Sequence, residues 1–198
     1  MIASIFESDE LEAIEQKVWA LLSVGVLSYK NTYHHGCIAN IQDGYPELRT
    51  VILRKVMETD KKLFFHTDIR APKVPFLQKN PAISWLFYDE GIRLQLRMQG
   101  TAIIHFKNEI AEKGWAESKL SSKLTYSITN APGTVLAAPI PININEKEPP
   151  KELVEFAASN FAVVETSIAT LDIVFLHYQG NKRAFIDYTN KTMQWVQA

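Results

Sequence analysis

From Ile92 to Gln99 apolar and polar side chains alternate without a break. Ile92, Leu94, Leu96 and Met98 fall on one parity, and Arg93, Gln95, Arg97 and Gln99 on the other. A period of two is the signature of a strand with one buried face, because a helix would scatter the same residues around its axis. Such a strand needs sheet partners, and the chain supplies them nearby. Residues 47–57 and 63–67 flank the polar turn Glu58 to Lys62, residues 82–89 lead into Gly91, and 171–178, 183–188 and 192–197 form a closing meander. The stretch 31–41 adds mixed β-formers before a turn at Gln42 to Pro46. Strands therefore follow one another in hairpin order. The steady strand–helix alternation of a doubly wound sheet is absent. About seven strands against about four helices predict a mainly β (α+β) chain, an antiparallel barrel with helices packed outside.

The helices are expected at four places. Ser8 and Asp9 are cap-type residues before Leu11, Ile14, Val18, Leu21 and Leu22, which share one helical face, so a helix is predicted over about 8–25. Ala71 to Gln78 reads as a short helix stopped by Asn80-Pro81. Asn108 caps a helix to Ser121, and Lys151 to Ala162 forms another. Between them, residues 131–150 carry six prolines and glycines and read as a long loop within a single domain spanning 1–198.

The 198 residues are 46% hydrophobic and 22% charged, which excludes collagen-like, coiled-coil and disordered chains. Twenty-one basic against 22 acidic residues give a net charge of −1, which argues against a generic nucleic-acid binder. No run of 18 residues is uniformly apolar, so no membrane helix is expected. The start is acidic and lacks the basic, then apolar, pattern of a signal peptide, so the expected location is cytoplasmic. Cys37 is the only cysteine and reads as a small strand residue. The five histidines show no metal-site spacing, and His34 and His35 would point to opposite faces of a strand, so no metal is expected.

Nucleotide-loop, zinc-protease and nucleophile-elbow motifs are all missing. What remains is a dispersed set. Arg49 lies in an apolar strand, where a guanidinium needs an anion or water. Thr67 ends the next strand, and Lys73 opens the short helix. If a 47–67 hairpin sets Arg49 beside Thr67, a forked donor, a hydroxyl and an ammonium converge near a helix start, which suits a phosphate monoester. The same residue types also serve as partners of surface carboxylates, and residue types alone leave both readings open.

Over residues 49–100 the sequence resembles the pyridoxamine 5′-phosphate oxidase-like family of FMN-binding split-barrel proteins. The matching pieces are Arg-Thr-Val-Ile-Leu-Arg at 49–54, Leu-Phe-Phe-His-Thr-Asp at 63–68, the run from Ala71 to Tyr88, and Leu-Gln-Leu-Arg-Met-Gln-Gly at 94–100. The resemblance implies an antiparallel split β-barrel with flanking helices, and a homodimer with FMN at the subunit interface. It implies that Arg49 and Lys73 hold the FMN phosphate with Thr67 beside them. The backbone of Thr50, Val51, Ile52 and Leu53 would run along the flavin. Arg54 would stand near the ring, His66 in a place often held by an aromatic residue, and Gln95 in hydrogen bond with the cofactor.

Some positions depart from the family. In the phosphate site a tandem Arg-Lys becomes Pro72-Lys73, with one cation lost, and among the substrate positions the C-terminal Arg-x-His becomes Arg183-Ala184-Phe185. On the helix after the long strand, an ungapped alignment gives Lys113, Glu117 and Ser121, and a two-residue shift gives Trp115, Lys119 and Lys123. Lys119 and Arg183 are the expected contacts to a substrate anion; the catalytic residues stay unassigned. Tyr126, Ser127 and Thr129 would reach the partner's cofactor. Trp85, Phe87 and Tyr88 read as core or dimer interface and Trp115 as packing. The resulting expectation is an FMN-dependent oxidoreductase acting on a small molecule, with a non-catalytic flavin-binding or storage module as the alternative.

Overall fold

The computed structural model describes Ile5 and residues 9–141, 143, 145–178 and 180–198. Among these residues nine strands form one sheet: β1 (His35–Gln42), β2 (Tyr45–Ile52), β3 (Lys55–Met57), β4 (Lys62–Asp68), β5 (Ala82–Asp89), β6 (Leu94–His105), β7 (Phe161–Phe175), β8 (Lys182–Asp187) and β9 (Thr192–Trp195). Five α-helices flank it: α1 (Leu11–Leu27), α2 (Lys73–Lys79), α3 (Glu109–Glu117), α4 (Leu120–Leu124) and α5 (Lys151–Asn160). Every pairing is antiparallel. The order β2-β1-β5-β6-β7-β4-β3 curls the sheet, but β2 and β3 do not pair, so the barrel is split.

The split lies inside the stretch expected to be one strand. Residues 47–57 are broken at Leu53 and Arg54. The Leu53 N–H donates to the His34 carbonyl at 2.9 Å and the Arg54 N–H to the Phe64 carbonyl at 2.8 Å. The chain thus crosses from the β1 side to the β4 side. β2 pairs with β1 and only β3 pairs with β4, so the expected 47–67 hairpin is confined to 55–68. Leu53, fully buried, anchors the crossing.

β7 is the second departure. The helix expected to run to Ala162 ends at Asn160, and a 15-residue strand begins at Phe161. Phe161 to Thr166 are all buried. With both faces covered, the period-two signal vanishes and the run reads like a helix end. β7 carries β6 along one edge and, along the other, first β4 and then β8. The change of partner coincides with a register shift, where Gln99 faces Thr170 and Gly100 faces Ile168. A Cβ on Gly100 would lie 2.1 Å from the Ser167 carbonyl oxygen, so only glycine fits that closeness.

The alternation that opened the argument is realised in β6. Leu94, Leu96 and Met98 are buried, while Gln95, Arg97 and Gln99 face outward. The barrel interior is filled by Phe65, Trp85, Phe87 and their aliphatic neighbours. Trp85 and Phe87 are therefore core, whereas Tyr88 is 46% exposed. α1 closes the barrel with Ile14, Val18, Trp19 and Leu22. It runs two residues beyond Gly25, where a Cβ would lie 2.7 Å from Tyr33 Cβ. The expected cap Ser8 lies outside the described residues; Asp9 pairs with Lys182 at 3.0 Å instead of capping. His34 sits in a short 3-10 turn, not a strand, and its Nδ1 lies 2.8 Å from the Gly25 carbonyl.

The helix expected over 108–121 begins as predicted, with the Asn108 side chain accepting from the Ala111 N–H at 3.1 Å. It stops at Glu117. Ser118 is extended, its hydroxyl donates back to the Gly114 carbonyl at 2.7 Å, and α4 starts afresh at Leu120. The described residues of 131–150 are irregular, as expected. The closing turn at Asn190-Lys191 is present, with Asp187 accepting from the Thr189 and Asn190 N–H groups; Gln179 of the preceding expected turn is outside the described residues. No described helix is long and apolar enough to cross a membrane.

Candidate flavin site

The split between β2 and β4 opens a cavity of about 470 Å³. Arg49, Thr50, Val51 and Ile52 line it from β2, Arg54 from the crossing, His66 from β4 and Lys73 from the start of α2. Ser121, Ser122, Thr125 and Tyr126 close it from α4 and the turn after it. Arg49 and Lys73 thus face one cavity across the split, and Thr67 joins them through Lys73 and not along a hairpin. Thr67 is buried beneath the cavity, and its hydroxyl oxygen accepts from Lys73 Nζ at 2.8 Å. Arg49 is oriented by the buried Asn40, whose Oδ1 accepts from its guanidinium.

The electrostatics point to an anion. Burial, and then the charge of Arg49, pull the Lys73 ammonium down to about 8, against a smaller opposing pull from Asp68. Burial also lowers Arg49. Asp68 does not neutralise this pair, because Arg70 holds it with a 2.7 Å ion pair and a further bond at 3.0 Å. Two cations held close in a partly dry site favour a ligand that carries two negative charges, as a phosphate monoester does.

Arg70 also fixes the far wall. It donates to the carbonyls of Ile128 and Thr129 at 2.8 and 3.0 Å. Asn160 donates to the Tyr126 carbonyl at 3.0 Å. Tyr126, packed edge-on against Phe161, therefore lines the cavity of its own protomer, where the sequence reading sent it to the partner's. Burial raises its phenol to about 12, so it stays a neutral donor.

A second cavity of about 910 Å³ shares Ile52, Arg54, His66 and Ser122 with the first. It lies between α3 and the outer face of β3, β4 and β7. Leu53, expected to run along the flavin with 50–52, lines only this second cavity. Gly114 lets α3 approach: a Cβ there would lie 2.8 Å from Val163 Cγ2. His66 sits at the junction, and burial with the Arg54 charge drops its imidazole to about 4. Its Nδ1 is 3.5 Å from Ser118 Oγ, whose own proton is given to Gly114.

Lys119, one of the two expected substrate contacts, lines the larger cavity, and so do Lys113 and Glu117. The ungapped trio Lys113, Glu117 and Ser121 is the one that faces the cavities. Trp115 instead packs on Phe161 with ring centroids 5.3 Å apart, and Lys123 lies over the Trp115 ring. Lys62 pairs with Glu165 and Lys113 with Glu117, which leaves Arg54, Lys55 and Lys119 as excess positive charge on the walls. Asn40, Ser122, Gly114 and Glu165 escaped the sequence reading, and Lys55 stood out only as a basic residue in an apolar run; Glu165 carried a signal of the same kind, an acid among the apolar residues 161–164.

Three expected site residues line neither cavity: Thr67, which lies behind Lys73, and Gln95 and Arg183. Gln95 is paired with Val174 across β6 and β7, and Val174 with Arg183 across β7 and β8. Directly paired residues share a face, so Tyr88, Gln95, Val174 and Arg183 form one row across the outer sheet surface. Arg183 binds Asp172 there with two bonds of 3.0 and 2.8 Å, beside Arg97 on the same carboxylate. Among the described residues no three of His, Cys, Asp and Glu gather as a metal site.

The sequence profile described as pyridoxamine 5′-phosphate oxidase, FMN-binding domain, matches residues 20–106. No curated protein sequence matches the chain. Among solved structures, a pyridoxamine 5′-phosphate oxidase-related, FMN-binding protein from Nostoc punctiforme superposes with a TM-score of 0.74 at 20% identity, over 92% of this chain and 96% of that one. PhzG from Burkholderia lata, in complex with tetrahydrophenazine-1-carboxylic acid, gives 0.67 at 12% identity over 100% and 98%. A pyridoxinephosphate oxidase-family protein from Clostridium acetobutylicum, related to general stress protein 26, gives 0.58 at 15% over 91% and 99%. These likenesses establish the fold. Residues 20–106 are therefore similar to the FMN-binding domain of the pyridoxamine 5′-phosphate oxidase family, and the chain shares the split-barrel fold of the related structures.

Proposed function

We propose that this chain binds FMN with its phosphate between Arg49 and Lys73, and that it is an FMN-dependent oxidoreductase acting on a small molecule held in the larger cavity. The observation that carries the reading is the Arg49–Lys73 pair over the Thr67 hydroxyl, with Lys73 drawn down to about 8 by burial and then by the Arg49 charge. A phosphate satisfies both cations, and Tyr126 and the serines of α4 supply neutral donors around it. Bound there, FMN supplies two-electron exchange with a small molecule. The protein's part is to position and tune. Arg54 contributes a fixed positive charge on the wall shared by the two cavities, and His66 stays neutral beside it. The larger cavity, with its excess of Arg54, Lys55 and Lys119, suits an anionic molecule; the acid bound by PhzG is in keeping with that.

The working unit in this reading is a homodimer with FMN at the interface. Leu48, Leu86 and Tyr88 are 61%, 38% and 46% exposed on the outer sheet face, which leaves apolar surface for a second copy. The row of Gln95 and Arg183 lies on that face, outside the protomer's own cavities, where it can complete the partner's site. The test is an absorbance spectrum of purified protein incubated with FMN and passed over gel filtration. A flavin band co-eluting at dimer mass is the expected result; colourless protein with no FMN uptake overturns the proposal.

A further inference from the structure

Glu165 is a charged residue that the flavin reading does not use, and it is unusually well fixed. It lines the larger cavity yet is only 5% exposed, on β7 between Phe64 of β4 and Ile103 of β6. Lys62 Nζ donates to its Oε1 at 2.7 Å. His105 Nε2 lies 3.3 Å from its Oε2. The orientation of that imidazole follows from its neighbours. Asn108 commits its Oδ1 to the Ala111 N–H at the start of α3, so the Nδ2 is the atom facing His105 Nδ1, at 3.2 Å. Nδ2 can only donate, so His105 Nδ1 accepts and the ring proton sits on Nε2, aimed at Glu165. Four residues from three elements thus hold one ionised carboxylate in a single pose.

Each carboxylate oxygen has two acceptor positions, and each is used once by the protein. The remaining capacity is available to the cavity. The neutral His105 and the Lys62 charge leave the cluster with no net charge. Arg54, Lys55 and Lys119 on the same walls repel a cation and attract an anion. A buried ion pair is seldom the most stabilising filling for such a place, since apolar side chains of like size do as well. A carboxylate kept there and turned to a cavity is suited to recognition.

We infer that Glu165 is a specificity-determining acceptor in the larger cavity, taking a neutral N–H or O–H group of an anionic, otherwise apolar small molecule. The inference rests on the larger cavity being the substrate site. An acceptor pinned in advance discriminates strongly, because an isostere without the donor strips a water from the carboxylate and returns nothing.

The test is calorimetric titration of the FMN-treated protein with three probes: 4-aminobenzoate, 4-methylbenzoate and 4-(aminomethyl)benzoate. They share the anion and ring and present a neutral donor, no donor and an ammonium. The expected result is 4-aminobenzoate binding about tenfold more tightly than either of the others. Glu165→Leu, which removes the acceptor, should bring that ratio close to one. Lys62→Met, which leaves the carboxylate uncompensated, should turn the preference toward the ammonium probe. Equal affinities in the wild type, no binding of any probe, or a preference that survives Glu165→Leu would overturn the inference. Flavin uptake is read separately by absorbance. A donor preference without a flavin band contradicts the flavin reading and supports Glu165, and a flavin band without the preference contradicts Glu165 alone.

Discussion

Lys73 Nζ rests 2.8 Å from Thr67 Oγ1, on the far side of the barrel split from Arg49, and the ammonium pays for its burial with a pKa near 8. The two cations belong to α2 and β2, which are 24 positions apart in sequence and meet only because the chain crosses between the half-barrels at Leu53 and Arg54. Each makes a charge-assisted contact to the phosphate in this account. Lys73→Met and Arg49→Ala should each weaken FMN binding by about 10- to 100-fold, read by quenching of flavin fluorescence on titration. Arg49→Lys should recover only part of the loss, since a point charge replaces a fork.

Flavin affinity should depend on pH through Lys73. The free protein loses this proton as pH rises through about 8, and an anion binds the protonated form. Affinity should be nearly flat from about pH 7 to 8 and then fall by up to about tenfold per pH unit. Lys73→Met should bind weakly with no such fall over the same range.

His66 predicts a second pH effect, on stability. Its folded pKa is lowered from 6.5 to about 4 by burial and by Arg54, so between those values the unfolded chain binds the proton and the fold does not. The fold is therefore destabilised as pH falls from about 6.5 to 4, by on the order of 3 kcal/mol from this group. Urea unfolding of the wild type and His66→Phe across that range should show the difference between them shrinking in the wild type's disfavour as acid is added. Parallel curves would contradict the assignment.

Gly114 sets how closely α3 lies on the sheet. Alanine gains about 1 kcal/mol of helix propensity, but its Cβ meets Val163 Cγ2 at 2.8 Å, and Val163 is buried and stiff. Gly114→Ala should be net destabilising by about 1–2 kcal/mol in urea unfolding. The double variant with Val163→Ala should couple, recovering part of that loss relative to the sum of the singles.

How much of this was legible in the sequence follows from where the determinants lie. Strand β6 declared itself because only one of its faces is covered. Arg49, Thr67 and Lys73 could be singled out because a basic group in an apolar strand and a lysine opening a helix call for an anionic ligand or a carboxylate partner, a choice that residue types alone leave open. The break at Leu53 was not legible: Val51, Ile52 and Leu53 are equally apolar, and the crossing depends on the carbonyls of His34 and Phe64, which are remote in sequence. β7 was hidden because α3 and the barrel interior bury both its faces, erasing the alternation. Gln95 and Arg183 were singled out as site residues, and only their shared register with Val174 reveals that they lie in a row on the outer sheet face, outside both cavities.

The central claim is that the Arg49–Lys73 pair holds the phosphate of FMN. The most direct measurement compares the affinities of FMN and riboflavin, which differ by that phosphate alone, for the wild-type protein. The account predicts FMN binding about a hundredfold more tightly or better, with the gap narrowing in Lys73→Met. Equal affinities for the two flavins, or a gap untouched by the substitution, would contradict it.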